Sequence, residues 1–391
     1  MVPRLLLLRD KESLNTTTRI QANSTKPAML IGISGTLSSG KTEVVRYLTF
    51  QGFKLLQYDP TDCDELDEIN GKLASVEVAQ LNGKLAPPGV RNGTATGTNS
   101  TNGSLMKPRA VSGIEVHKKF NQLTEFIDFV TANWQQNYVI SHINDMTMLH
   151  GLQKRPFFLH ISIDAPISLR YERYCQKSSD SSQTLDGFIS ANDSILFGTT
   201  QLIEINNQAQ VKIINTTSSI ENLYIKLSEL NLSDLSRLRP TWDLYFMRLA
   251  DLAALRSNCM KRRVGCVIVK QARVIATGYN GTPRHLTNCN QGGCPRCNSS
   301  QGSGTSLSTC LCLHAEENAL LEAGRDRIGN ESILYCNTCP CLTCSIKIVQ
   351  SGIKEVVYAQ SYSMDDASHK VMSNAGIILR QFQPPIDGIF I

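Results

Sequence analysis

The chain has 391 residues, too many for one ordinary core at roughly 150 residues per domain, so two domains are expected. Its 39 basic and 34 acidic residues are intermixed and leave a formal charge of +5, which excludes the dense basic stripe of a long nucleic-acid track and suits a small anionic substrate. No apolar run approaches the roughly 20 residues that span a bilayer, and most of the 13 cysteines fall between Cys259 and Cys344 in a long chain without a convincing signal peptide, so reduced, zinc-binding thiols in the cytoplasm, with the nucleus as a second location, are expected rather than a secreted disulfide scaffold or a membrane protein.

Residues 1–26 carry Arg4, Arg9 and Arg19 among Ser, Thr and Asn, a faint transit-peptide character that Asp10 and Glu12 oppose; a disordered leader is expected. The apolar run Ala28 to Ile33 then leads into Gly35-Thr36-Leu37-Ser38-Ser39-Gly40-Lys41-Thr42 and the helical stretch Glu43 to Leu48, the strand, loop and helix context of a P-loop. There Gly35 and Gly40 let backbone N–H groups wrap a phosphate, Lys41 reaches the terminal phosphates and Thr42 holds magnesium, so ATP and Mg2+ are the implied ligands. The bland alternative is a retained fold with an empty pocket. The stretch 87–112, rich in Gly, Asn, Thr and Pro, reads as a disordered insertion. Tyr138 to Ser141 and Phe157 to Asp164 read as buried strands. Arg170, Tyr171 and Arg173 follow on a helix, the two arginines either clamping phosphates or lying on a solvated face. Asp59, Asp62 and Asp145 are acidic candidates without a diagnostic spacing. This pattern resembles small P-loop kinases, in particular dephospho-coenzyme A and nucleoside monophosphate kinases, which implies a parallel-sheet α/β domain over 27–232. The insertion falls where such kinases build their acceptor site and lid, which speaks against an intact kinase.

The polar segment Ser233 to Pro240 marks a boundary. Beyond it, Trp242 to Arg256 has apolar residues at helical spacing, including Tyr245, Leu249, Leu252 and Leu255. Val264 to Val269 and Val274 to Gly278 form a hairpin about Lys270 to Arg273. A helix begins at His314 and carries Ala319, Leu320 and Ala323; Ile333 to Cys336 is a strand, Cys341 to Gln350 a helix, Val356 to Ala359 a strand, and a final strand runs near Ile377 to Phe382. Five strands with helices on both faces give a three-layer α-β-α domain over 240–391, an arrangement in which two helix starts can share one metal.

Those two helix starts carry the chemistry. His314-Ala315-Glu316 is followed, 24 residues after Glu316, by Pro340-Cys341-Leu342-Thr343-Cys344. Zinc takes four tetrahedral ligands, and a catalytic site leaves one position to water; His314, Cys341 and Cys344 supply three. Zinc lowers the pKa of its water toward roughly 7, and Glu316, two residues past the histidine, is placed to shuttle protons as acid and base. A structural site would want a fourth protein ligand and has no use for the carboxylate. The pattern H-x-E…P-C-x-x-C is the signature of zinc deaminases that act on cytosine or adenine.

The zinc motif fixes the chemistry and leaves the substrate open. Trp242 to Met247, Val264 to Val269, Gly278-Tyr279-Asn280-Gly281 and His314 to Ala319 together resemble the deoxycytidylate deaminase family over Pro240 to Phe382. The long N-terminal extension is similar to that of the fungal subgroup. The resemblance implies hydrolysis of dCMP to dUMP and ammonia, supplying thymidylate synthesis, in a homohexamer activated by dCTP and inhibited by dTTP. It also implies that His314, Cys341 and Cys344 bind the catalytic zinc, that Glu316 is the proton shuttle, that Gly278, Tyr279, Asn280 and Gly281 hold the allosteric triphosphate, that Arg325 is linked to that regulation, and that Tyr362 meets the base or sugar. Read without the family, Gly278 to Gly281 is a plain hairpin turn and Tyr362 ordinary packing. Among Lys261, Arg262 and Arg263, any of which could steer a 5′-phosphate or simply be solvated, Arg263 is the choice.

Cys259, Cys289, Cys294, Cys297, Cys310 and Cys312 are too many thiols for chance, and four of them could close a structural zinc. Similarity to bacterial and phage members of the family implies Cys259, Cys289, Cys294 and Cys310, with Cys297 and Cys312 as rivals. Buried thiols without a metal are the alternative. A kinase with the deaminase as passenger and a binder of structured RNA are the competing functional classes.

Overall fold

The computed structural model describes residues 28–60, 113–177, 184–198, 201–299, 309–361, 365–385 and 388–390. The expected leader, the insertion at 87–112, Asp62 and Tyr362 lie outside the described residues.

The first half of the chain builds β1 (Leu30–Gly35), α1 (Lys41–Phe50), β2 (Lys54–Tyr58), β3 (Val116–Phe120), α2 (Leu123–Ala132), β4 (Tyr138–Ile140), α3 (Met146–Gln153), β5 (Phe158–Asp164), α4 (Ile167–Lys177), α5 (Leu185–Phe197), α6 (Leu202–Asn207), β6 (Val211–Ile214) and α7 (Ile220–Leu230). Every strand pairing in its sheet is parallel. The unbroken apolar run of β1 is the pattern of a strand covered on both faces, and β1 is buried throughout, between β4 and β5. One face packs Ile31, Ile33, Val44, Leu48, Leu159 and Leu227; the other packs Leu30, Phe126, Tyr138, Met148, Phe158 and Ile205. Each such side chain contributes about 1.5–3 kcal/mol of transfer free energy.

The second half builds α8 (Trp242–Ala254), β7 (Gly265–Lys270), β8 (Arg273–Tyr279), α9 (Pro295–Asn298), α10 (Ala315–Ala323), α11 (Arg325–Ile328), β9 (Ile333–Thr338), α12 (Leu342–Ser351), β10 (Glu355–Gln360), α13 (Asp365–Asn374) and β11 (Ile378–Gln381). The strand order is β11-β10-β9-β7-β8, with β9, β10 and β11 parallel and β7 antiparallel to both neighbours. Alternation along the strands divides the core. Cys266, Ile268, Leu334, Cys336 and Val356 face α10, α12 and α13, while Val267, Val269, Tyr335 and Val357 face Phe246, Met247 and Ala250 of α8. That is the expected three-layer stack.

Two features differ from the sequence reading. Helix α8 buries Leu244, Phe246, Met247, Ala250 and Ala254, whereas Tyr245, Leu252 and Leu255 are exposed. The helix is apolar on more than one side: of the four residues named from spacing, Leu249 packs against the core under α8 and the other three face outward. The second difference is a strand after β11. β12 (Gly388–Phe390) returns to the first sheet and pairs in parallel with β6, matching Gly388 to Lys212 and Phe390 to Ile214. The span 240–391 is therefore not one sheet unit: its last described strand covers what would otherwise be the open β6 edge. Among the described residues no helix is long and apolar enough to cross a membrane.

Candidate metal centre

His314 is the N-cap of α10 and Cys341 the N-cap of α12, so two helix starts deliver the ligands side by side. The His314 Nδ1 lies 3.3 Å from Cys341 Sγ and 3.3 Å from Cys344 Sγ. All three ligand atoms fall within 4.8 Å of one another. Neither cap makes a side-chain capping hydrogen bond, so the partly positive helix ends face the thiols and favour their anionic form. Hydrogen bonds with Cys344, with His314 and with the Thr343 hydroxyl (3.1 Å) outweigh burial and draw Cys341 down to about 3. Its thiolate drives Cys344 far the other way, helped by burial and by Glu316. The Cys341 hydrogen bond raises His314 to about 9 against the cost of burial. Two thiols that cannot both ionise alone, with an imidazole at contact, are a donor set whose mutual repulsion a bound dication relieves. Their chemistry fits zinc with one position left to a fourth ligand.

Glu316 sits in the first turn of α10 and is 4% exposed. Burial pushes its carboxyl up to about 7, with the His314 charge opposing. A buried carboxyl beside a metal site can therefore hold or release a proton near neutrality. Thr343 was not singled out by sequence reasoning. Its signal was available, since a hydroxyl between the two cysteines of a C-x-x-C at a helix start faces the first thiol.

The other residues named from the sequence fall into different settings. Gly278 packs β8 against α10 so closely that a Cβ would meet the Ala315 carbonyl at 2.1 Å. Asn280 is buried; its side chain accepts from Ser257 (2.7 Å) and from the Val264 N–H (2.8 Å) and donates to the Arg262 carbonyl (2.7 Å). The N–H of Asn280 donates to Val264 and that of Gly281 to Leu313, while the Tyr279 carbonyl accepts from Asn318. The Gly278 to Gly281 segment is thus a packed scaffold that ties β8 to the approach of His314. Arg263, just before β7, and Arg325, at the start of α11, are exposed.

Six further thiols, Cys259, Cys289, Cys294, Cys297, Cys310 and Cys312, converge beside that approach. The four implied by resemblance do not form a set of their own. Cys259 and Cys289 group with Cys297 and Cys312, and Cys294 and Cys310 group with the same two. Linear spacing could not show this, because it depends on how the Cys310–Cys312 arm lies against the Cys289–Cys297 arm.

In the first sheet, Gly35 ends β1 at φ 147° with the Ile163 carbonyl 2.0 Å from where a Cβ would stand, and Gly40 caps α1 at φ 110°. Neither position accepts a side chain without strain. Lys41 Nζ donates to the carbonyls of Gly35 (2.9 Å) and Thr36 (2.6 Å), and Thr42 follows in the first turn of α1. Burial and then the Arg170 charge pull Lys41 down to about 8. Arg170 is on neither a solvated face nor the loop: it is buried, donating to Ala165 and Asn192. Arg173 donates to the carbonyls of Ser39 (3.2 Å) and Thr217 (2.5 Å) and so does reach the loop. The Thr36 hydroxyl donates to Asp164 at 2.5 Å. Asp145 is the N-cap of α3, accepting from Thr147 and Met148.

Comparison with known proteins gives the family. Residues 240–360 match the family model of the cytidine and deoxycytidylate deaminase zinc-binding region. A deoxycytidylate deaminase of Schizosaccharomyces pombe is 54% identical over 267 residues, covering 68% of this chain and 83% of that protein. One from Saccharomyces cerevisiae is 54% identical over 268 residues, covering 66% and 85%. An alignment of 267 residues is longer than the whole span 240–391, so the similarity reaches into the N-terminal half. Among solved structures, the dCMP deaminase of cyanophage S-TIM5 in complex with dCMP and dUMP is 33% identical, covers 35% of this chain and 94% of that one, and has a TM-score of 0.30.

Proposed function

The chain belongs to the deoxycytidylate deaminase family, and we propose that it hydrolyses dCMP to dUMP and ammonia with His314, Cys341 and Cys344 as the ligands of its catalytic zinc and Glu316 as proton carrier. The observation that carries this is the meeting of one imidazole and two thiols at two helix starts, with a buried carboxyl in the first turn of the same helix. When bound, zinc supplies Lewis-acid activation of a water molecule. Glu316 accepts the proton which that water gives up as its oxygen bonds to C4, and delivers it to ring N3. It then passes the second water proton to the amino nitrogen, the C4–N4 bond breaks and ammonia leaves. Ammonia release is to be compared across dCMP, deoxycytidine, dCTP and CMP. Preference for dCMP supports the assignment, and preference for the free nucleoside overturns it.

The same reading extends to regulation. dCTP activates and dTTP inhibits a homo-oligomer, a hexamer by family resemblance, with Arg325 and the Gly278 to Gly281 segment near the triphosphate and with Arg263 and Tyr362 at the substrate. Support for association comes from large apolar side chains left exposed on three helices: Trp242, Tyr245, Leu252 and Leu255 on α8, Leu321 on α10 and Ile346 on α12. Sedimentation with and without each triphosphate, read beside the dCMP saturation curve, tests it.

A second activity is favoured by one observation: the Lys41 ammonium and the Arg173 guanidinium both rest on carbonyls of the Gly35 to Thr42 loop, poised to exchange them for phosphate oxygens. In this reading the N-terminal half is a P-loop kinase-like domain that takes ATP with Mg2+ at Thr42. ATP binding measured with and without Mg2+ tests it, and equal affinity in wild type and Lys41→Ala rules it out.

A further inference from the structure

Cys259, Cys289, Cys294, Cys297, Cys310 and Cys312 come from three stretches of chain: the turn after α8, the segment around α9, and the arm that leads to His314. Among the described residues they form a small core of cysteine alone. Cys289, Cys294, Cys297 and Cys312 are buried, and the partly buried groups packed against them are Cys259 and Cys310. Among the described residues the lobe has no aliphatic side chain in its buried cluster, so packing alone gives it little reason to close.

The spacing of the sulfurs points to the missing reason. Cys259 lies 3.9 Å from Cys297, Cys297 3.9 Å from Cys312, Cys297 3.6 Å from Cys310, and Cys294 3.9 Å from Cys310. A disulfide would hold sulfurs about 2.05 Å apart. A tetrahedron with zinc–sulfur bonds of about 2.3 Å has sulfur–sulfur edges of about 3.8 Å. The thiols also sort themselves into two four-membered sets, each with all its sulfurs within 4.8 Å, and both sets contain Cys297 and Cys312. Two tetrahedra that share one edge have just this composition: two common corners and two private corners each.

We propose that these six cysteines hold two zinc ions in one six-thiolate cluster, with Cys297 and Cys312 bridging, Cys259 and Cys289 completing one site, and Cys294 and Cys310 the other. A single ion in either set would leave two thiols of the all-sulfur core without a role, whereas two ions use all six. The net charge of six thiolates and two dications is no greater than that of four thiolates and one. Donors already face the sulfurs: the Leu311 N–H lies 3.4 Å from Cys294, Asn298 Nδ2 3.8 Å from Cys289, and the Arg296 guanidinium 4.0 Å from the bridging Cys297. The cluster clamps the arm whose next residue, Leu313, pairs with Gly281 and precedes His314. It stands on the cysteines alone and does not depend on the substrate of the catalytic site.

The test uses the full chain, refolded or purified with zinc under anaerobic reducing conditions, desalted, and analysed for metal against protein concentration. Three zinc ions per chain are expected in the wild type and two in His314→Ala. Two in the wild type and one in the variant would mean that the cysteine lobe holds a single ion, and one in the wild type that it holds none; either overturns the proposal. A count unchanged by His314→Ala would instead count against the catalytic ligand set. Bridging is read independently from protein loaded with cadmium-113. Two all-thiolate resonances split by coupling through shared sulfur support the cluster, and one resonance, or two without mutual coupling, contradicts it.

Discussion

At the start of α1, Gly40 caps the helix and the Lys41 ammonium folds back onto the carbonyls of Gly35 and Thr36, while at the starts of α10 and α12 the same helix polarity faces an imidazole and two thiols brought from 27 and 30 residues away. Both places use the partly positive end of a helix. In the first, the loop is built around the backbone, so glycine is what it cannot lose: a Cβ at Gly35 would stand 2.0 Å from the Ile163 carbonyl. In the second, the side chains do everything and the backbone only aims them. A site made of backbone fails by strain, and a site made of side chains fails by chemistry.

That contrast can be broken in order of effect. Cys341→Ser should remove a zinc ligand and lower ammonia release by several orders of magnitude, while Lys41→Ala leaves that turnover at the wild-type level, because the two sites belong to different sheets. A matching collapse in Lys41→Ala would show that the sheets act as one catalytic unit. Gly35→Ala should cost about 3 kcal/mol of stability through backbone strain, seen as an earlier denaturant midpoint; an unchanged midpoint would mean that the β1–α1 loop relaxes freely. The smallest effect is acid sensitivity of the first sheet. His160 is fully buried, with Nε2 2.8 Å from the Ser34 hydroxyl, and burial pulls it down to about 4 from the ordinary 6.5. A depressed histidine contributes stability that is complete above pH 6.5 and is lost as pH falls toward 4, on the order of 1 kcal/mol per pH unit. Denaturant titrations at pH 7 and pH 5 should show that loss, and His160→Gln should flatten it.

The same division explains what could be read from the chain itself. The Gly35 to Thr42 loop, the pairs His314–Glu316 and Cys341–Cys344, the strands β1, β4 and β5 and the five strands of the second sheet were legible, because each rests on local periodicity or on residues a few positions apart; β2, β3 and β6 were not. The buried side of α8 was not, since Tyr245, Leu249, Leu252 and Leu255 match a helical face as well as Leu244, Met247 and Ala250 do, and only the sheet beneath decides between them. The partition of six cysteines into two sets sharing Cys297 and Cys312 depends on how two arms lie together, which spacing does not encode. Nor does spacing tell that Gly388–Phe390 leaves its own half to pair with β6. Asn280 looked like half of a turn dipeptide and is instead a buried clasp between Ser257, Arg262 and Val264.

The central claim is that Glu316 moves protons at a zinc held by His314, Cys341 and Cys344. Its most direct test is ammonia release from dCMP by Glu316→Ala together with the zinc content of the same preparation. The variant should keep its metal and lose turnover by roughly 100-fold to 10,000-fold, the usual worth of a positioned acid and base. Full-rate deamination in a zinc-replete Glu316→Ala would contradict the mechanism.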